Sequence, residues 1–506
     1  MTIPIVEPDR HARFRPSPNG NGDRNGAHAE ALRRLSPHER LELLCDPGSL
    51  QVLRSGVSSR RMGAKARAGD GVVGAAGLVE GRPVFAYAQD ASFAGGSLGE
   101  AHADTIVRVL RLAGESGAPV VGFVESGGAR MQEGIHALGG YARIFRENVL
   151  LSGRVPQISI ITGTSAGGGS YSPALTDFVV MVEDATMFLT GPGVVREVIG
   201  EEVGAGELGG ARVHERNGVC HFVVPDDLAS IFLARDLLGH LPQSSDEAPP
   251  VRAATVPGEG DPGRIVPEDP RKVYDVRDVI ATVVDGGRMI EVAPKWARNV
   301  VTALARVDGR SVGVIANQPR YLAGTLDADS ASKAARFVRT CNTYNLPLVV
   351  LVDTSGFMPG TQQESAGVIR HGAKLLHAFA EATVPKVTVV LRKAYGGAYI
   401  TMNCKDLGAD FAFAWPRAEI GVMGARQAVG VIHRRHLATL DDAGATHDQL
   451  AGAYAEEHLR AHVAAESGFI DEVIEPRDTR SRIAWSLATL SGRRGRRSGH
   501  AGNIPL

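Results

Sequence analysis

Two short glycine runs are the residues of this chain best placed to do chemistry. In GTSAGGGSYSP, Gly167, Gly168 and Gly169 follow the β-branched run VPQISIIT; in RKAYGGAYIT, Gly396, Gly397 and Ala398 follow VPKVTVVL. Glycines at the end of a strand let the backbone come close to a ligand, and a helix starting there leaves its first N–H groups unpaired. Aided by the helix dipole, such donors hold a developing oxyanion, for example the enolate oxygen of a thioester. The plainer reading of either run is a tight strand-to-helix turn with glycine there for packing, and its repetition weighs against that. A rival lies in Gly163-Thr164-Ser165-Ala166-Gly167, a GxSxG elbow that would make Ser165 a nucleophile. The matching position in the second run is Ala394, and no acid-then-histidine pairing stands out downstream. GVIRHGAK is not a Walker A loop, and no GxGxxG follows a strand.

The elements that must position these runs occur twice. Ile106, Val109, Leu110 and Ala113 have the spacing of one helix face, followed by the strand GAPVVGFV and the turn ESGGAR. Ala334, Phe337, Val338 and Cys341 repeat that spacing before LPLVVLV and DTSGFMPG. The step from Glu125 to Asp353 nearly equals the step from Gly167 to Gly396, so two motifs recur at one offset. A proline- and acid-rich stretch from Gln243 to about Pro270 divides the halves. Strands alternating with helices and rich in Val and Ile predict two α/β domains, each with a buried, largely parallel sheet.

Composition excludes other classes. Fifty-five Lys and Arg balance 56 Asp and Glu, so no global field calls for nucleic acid or an anionic membrane. No apolar run reaches the roughly 18 residues of a membrane span. The polar segment up to residue 30 reads as a flexible leader without a secretory core, and Arg493, Arg494, Arg496 and Arg497 as a solvated tail. Cys45, Cys220, Cys341 and Cys404 form no CxxC pair, which fits reduced thiols in a cytoplasmic protein and excludes a zinc ribbon. His433/His436 and His458/His462 lack an HExxH frame and read as exposed helix residues, so no metal is expected. Glycine is in excess, 61 of 506 residues against an average near 7%.

The ordered motifs GDGVVG, ESGGARMQEG, GGGSYSPALTDF, ELGGARVH, KAARFVRTCN, DTSGFMPG, RKAYGGAY, AWPRAEIGVMGA and GNIPL resemble the carboxyltransferase (β) subunits of biotin-dependent acyl-CoA carboxylases, of the acetyl/propionyl-CoA type. The resemblance runs from about Arg40 to Leu506. It implies two tandem crotonase-like domains, 31–255 on the acyl-CoA side and 256–506 on the biotin side. It also implies a homohexamer, with each site between the first domain of one subunit and the second of another. Oxyanion holes would be the amides of Gly167, Gly168 and Gly169 and of Gly397 and Ala398. Gly127, Gly128, Ala129, Tyr399 and Ile400 would line the substrate, and Gly396, Gly397 and Ala398 the biotin. Biotin would arrive on an alpha subunit carrying biotin carboxylase and the biotin carrier, since this sequence has no MKM attachment motif; a small epsilon-type subunit is a further partner of some such enzymes. Carboxybiotin would release CO2 and its ureido fragment would take the α-proton, which accounts for the absence of an evident catalytic base. The alternatives are a decarboxylase subunit running the same half-reaction backwards and a non-catalytic scaffold paralogue.

Departures from the family pattern bear on substrate. Propionyl-type relatives often carry Asp where this chain has Ile400, so an apolar wall favours acetyl-CoA or a broader acyl range; alternatively Ile400 is a core residue of its helix. Thr105 replaces a frequent Lys, Thr164 and Ser165 replace Pro-Cys, and ASFAGGS varies a motif usually reading TVFGGS.

Overall fold

The computed structural model describes residues 34–439 and 443–492. The expected leader, the terminal arginines and GNIPL lie outside the described residues. Two eight-stranded sheets follow one another along the chain. The first holds β1 (Gln51–Leu53), β2 (Val72–Val79), β3 (Arg82–Gln89), β4 (Val120–Ser126), β5 (Gln157–Ala166), β6 (Phe178–Val182), β7 (Thr186–Phe188) and β8 (Phe222–Val224). The second holds β9 (Met289–Glu291), β10 (Val300–Val307), β11 (Arg310–Asn317), β12 (Leu348–Thr354), β13 (Lys386–Tyr395), β14 (Phe411–Ala414), β15 (Glu419–Gly421) and β16 (Glu472–Val473). The first is ordered β1-β2-β3-β4-β5-β6-β8 with β7 on β5, and the second repeats that order strand for strand, with β15 on β13. These are two tandem crotonase-like α/β units, and the duplication expected from the motif offsets is present in the topology.

Strands β4 and β12 are buried at every position, as strands covered on both faces must be. Helices α1 (Glu100–Ser116), α2 (Ile135–Leu151) and α3 (Gly168–Ala174) flank the first sheet. Helices α4 (Ala328–Thr343), α5 (Val368–Glu381) and α6 (Gly396–Thr401) repeat them on the second. The apolar faces read from the sequence, Ile106 to Ala113 on α1 and Ala334 to Cys341 on α4, are buried, and all four cysteines are buried and unpaired.

Each sheet is mixed rather than wholly parallel, because an antiparallel hairpin opens it. The hairpins turn on Glu80-Gly81 and Asp308-Gly309. All four of these residues have positive φ, as both central positions of a two-residue I′ turn require. The offset between the halves also holds in fine detail. Leu98 bridges Ala129 and Leu326 bridges Phe357. The β4/β5 ladder shifts register between Val124 and Ser126, and the β12/β13 ladder between Val352 and Thr354. Between the halves, residues 243–270 carry the short helix Pro262–Ile265 and one isolated bridge, from Pro257 to Asp285. The halves also touch directly: Tyr344 Oη donates to Asp177 Oδ2 at 2.6 Å, and Ala293 N–H to His221 O at 2.9 Å.

Among the described residues no helix is long and apolar enough to cross a membrane, and no group of His, Cys, Asp and Glu is arranged to hold a metal. His436, His458 and His462 are exposed, whereas His433 is half-buried at a helix junction.

Two buried histidines, His102 and His221, are fixed neutral in the first half. Burial, with Arg130 adding to it, pulls His102 down to about 3; burial, with Arg336, does the same to His221. The unfolded chain binds these protons near pH 6.5 and the folded chain does not, so stability falls as pH falls through that value. Lowering the pH from 7.5 to 5.5 is expected to cost about 1.4 kcal/mol per histidine. Urea unfolding at the two pH values, for wild type and His102→Gln, checks it: the variant's pH dependence is the shallower.

Candidate functional site

Each glycine run sits where the sequence puts it, at the carboxyl end of the longest strand of its sheet. After β5 the chain turns at Gly167, with φ +56°, and enters α3 at Gly168. After β13 it turns at Gly396, with φ +58°, at the start of α6. Both turns lie beside the loop that follows the neighbouring strand, ESGGAR in one half and DTSGFMPG in the other, because β4 pairs with β5 and β12 with β13.

In the first half the donors are not those expected. Gly167 N–H is already given to Phe188 O at 3.0 Å, through the pairing of β7 with β5, so Gly167 supplies the turn and not a donor. The phenol of Tyr141, on α2, stands beside the Gly169 backbone. Gly168, the first residue of α3, has an N–H with no intrahelical acceptor. Its Cα lies flat on the Tyr141 ring: an added Cβ would be 2.7 Å from the nearest ring carbon. Tyr141 Oη also shares a 3.2 Å hydrogen bond with Ser126 Oγ, which in turn accepts from Gly128 N–H at 3.2 Å. One phenol therefore ties the glycine turn to the SGGA loop, and burial holds it above the usual tyrosine range. Gly127 N–H goes to Gly95 O at 3.0 Å. Leu98 uses Gly128 O and Arg130 N–H on its side of the loop, so the N–H of Ala129 between them faces the other way. None of these loop contacts could be read from spacing, since Tyr141 carried no motif.

Arg130 anchors this loop from beneath. It is fully buried, with Nη1 at 2.6 Å from Asp70 Oδ1 and 2.9 Å from Glu133 Oε1, and Nη2 at 2.9 Å from Ser97 O. Thr105, where relatives often carry Lys, is buried and accepts from Arg54 Nε at 3.3 Å, so a guanidinium reaches the position from elsewhere in the sheet.

The second half repeats the arrangement with different side chains. Gly356 N–H donates to Thr354 Oγ1 at 3.3 Å, as Gly128 does to Ser126. The aromatic ring over the glycine turn comes from Phe357, 3.9 Å from a Cβ placed on Gly397, and not from a helix. Here the turn opens a cavity of about 730 Å³ whose wall includes Gly396, Gly397, Tyr399, Ile400 and Phe469. Ile400 is 46% exposed, so it belongs to the pocket wall and not to a helix core. Ala398 is fully buried behind it. The pocket is mostly apolar, with the backbone turn at one end.

The hydrolase reading fails on geometry. Ser165 lies inside β5, fully buried, and its Oγ has no hydrogen-bond partner among the described residues, hence no base and no access. Ser165→Ala is expected to leave kcat within a few-fold of wild type in the carboxylation assay below.

The sequence profile of the carboxyl transferase domain matches residues 31–498. The chain belongs to the carboxyl transferase family. It is 46% identical to the carboxyltransferase subunit of propionyl-CoA carboxylase from Haloferax mediterranei, over 96% of both chains. It is also 46% identical to the alpha subunit of methylmalonyl-CoA decarboxylase from Veillonella parvula, again over 96% of both. Among solved structures, transcarboxylase 12S, a hexamer crystallised with methylmalonyl-CoA and methylmalonic acid bound, superposes with a TM-score of 0.90 at 47% identity, covering 95% of this chain and 93% of that one. As a carboxyl transferase, the chain is an enzyme whose two glycine turns need a chemical assignment.

Proposed function

We propose that this carboxyl transferase moves CO2 from carboxybiotin, borne on a separate alpha subunit, to the α-carbon of a short acyl-CoA. The observation that carries the reading is the pair of equivalent strand–glycine–helix turns, in a chain alike over 96% of its length to a propionyl-CoA carboxylase carboxyltransferase subunit. Residues 31–255 would hold the acyl-CoA and 256–506 the biotin.

At the acyl side, Gly168 N–H and the outward-facing N–H of Ala129 would converge on the thioester oxygen and hold the enolate. Tyr141 keeps these donors in register. At the biotin side, the first amides of α6, Gly397 and Ala398, would face the ureido oxygen, with Phe357 taking the place of Ala129. Preorganised donors of this kind stabilise charge only as it develops, and holding both reactants in line removes much of the entropic barrier. Exposed apolar side chains flank each turn: Met131, Ile135 and Leu138 by the first, Ile369 and Val422 by the second. Rows of this kind mark a covered surface, and they support a hexamer in which the first half of one subunit closes on the second half of another.

The test is a carboxylation assay with the biotinylated partner, ATP, bicarbonate and a panel of acyl-CoAs. Acetyl-CoA and propionyl-CoA are expected to be carboxylated; no carboxylation of any acyl-CoA while biotin is loaded overturns the reading. Placing a charge on the pocket wall by Ile400→Asp is expected to shift the propionyl/acetyl kcat/KM ratio by about tenfold, the worth of one methylene in an apolar pocket. A ratio unchanged by the substitution removes Ile400 as the selector. A decarboxylase subunit would instead consume methylmalonyl-CoA faster than it forms it under the same conditions.

A further inference from the structure

A second cavity, of about 640 Å³, lies at the seam between the halves, and none of the glycine-turn residues lines it. Phe178 and Trp296 give it an apolar wall, Arg336 is built into its floor, and Arg370 and Lys374 stand at its rim. Arg336 projects from α4 across the seam and donates from Nη2 to Thr176 O at 3.1 Å. Its Nε and Nη1 are shut off from solvent and have no acceptor among the described residues. A guanidinium cannot shed its proton, and a buried donor without a partner costs about 1–3 kcal/mol. The two donors lie just behind the cavity lining, so an acceptor that enters the cavity can take them once the side chain turns.

The other charges around it favour an anion. Arg370 and Lys374 are one turn apart on α5; Arg370 Nη2 meets only His371 Nε2, at 3.2 Å, and Lys374 has no ion-pair partner among the described residues. Lys333 is occupied elsewhere, donating to Ala293 O, Trp296 O and Val300 O. Two carboxylates face the space. Asp177 Oδ2 accepts from Tyr344 and from the Gln157 N–H, and Asp329 is raised by burial, with Asp327 adding to it.

We propose that this seam cavity binds a small organic anion, its apolar body against Phe178 and Trp296 and its carboxylate or phosphate head on Arg336, with Lys374 at the entrance. The side chain gives up one bond, to Thr176 O, and turns its orphaned donors onto the head group; a planar fork of N–H donors matches either oxyanion. The site touches both halves, so its occupant would tie them together. This stands apart from the carboxyl-transfer reading.

The assembled protein is titrated by calorimetry with hexanoate, hexyl phosphate, inorganic phosphate and hexanol, with saturating CoA present throughout to block the acyl site. One hexyl anion is expected to bind saturably, more tightly than inorganic phosphate, while hexanol does not bind. Arg336→Met abolishes that binding and Lys374→Ala, an exposed substitution that spares the fold, weakens it about tenfold or more. Carboxylate and phosphate sources are separated by whichever hexyl anion binds tighter. Absence of binding by both hexyl anions, equal binding by hexanol, or unchanged affinity in Lys374→Ala overturns the proposal even if Arg336→Met does not fold.

Discussion

Gly168→Ala is expected to lower kcat for acyl-CoA carboxylation by about 10²–10³-fold, the loss that follows removal of one oxyanion donor. A Cβ at Gly168 would meet three atoms of the Tyr141 ring at 2.7–2.8 Å. The ring cannot retreat: it is 5% exposed and has Phe145 beside it, with centroids 5.8 Å apart. The start of α3 must move instead, taking the Gly168 amide off target while the sheet behind it stays in place. Tyr141→Phe separates geometry from sterics. It keeps the ring under Gly168 but removes the oxygen that sits beside the Gly169 backbone and shares a hydrogen bond with Ser126 Oγ. A smaller loss, about tenfold, is expected there, because the donors lose their register without being displaced. Steady-state kinetics with loaded biotin decide the matter. If Gly168→Ala keeps kcat within about tenfold of wild type, this amide is not holding the charge that limits the reaction.

The two turns were legible in the sequence because glycine is the residue that a positive φ favours, as at Gly167 and Gly396, and because the chain states them twice. Which amides are free was not legible. Gly167 loses its donor to Phe188 O only because β7 lies on β5, a long-range pairing that no local pattern encodes. The ring over the turn is likewise unreadable: it comes from α2 in one half and from the loop residue Phe357 in the other, so the halves share a geometry without sharing a residue type. The hairpins at Glu80-Gly81 and Asp308-Gly309 carried a signal, an acidic residue before glycine between apolar runs, that the expectation of parallel strands passed over. Ser165 shows the converse. Its motif fits a nucleophile, and only the direction of its side chain, inward along β5, removes it.

Arg130→Met is expected to carry the largest stability effect, about 3–5 kcal/mol, because it strands two buried carboxylates. Arg130, Asp70 and Glu133 have fully buried side chains. In the wild type, burial raises Asp70 and outweighs Arg130, whereas Glu133, despite burial, is held low by the Glu100 N–H, Ser59 and Arg130. Glu133 therefore contributes stability that is present above its ordinary pKa and lost as pH falls through the lowered value. Without the guanidinium, both carboxyls rise above their unfolded values. The folded variant then binds more protons than the unfolded chain, and its stability increases as pH falls. The gap between wild type and variant should thus narrow from pH 8 to pH 5, which urea unfolding midpoints read directly. The same substitution loosens the strut under Gly128 and Ala129, since Arg130 also holds Ser97 O next to Leu98. At pH 8 and a temperature where the variant is folded, kcat should fall while KM for acyl-CoA changes little. A gap that stays constant with pH would mean that Asp70 and Glu133 find other partners, and the loop would then owe its position to the Leu98 bridge alone.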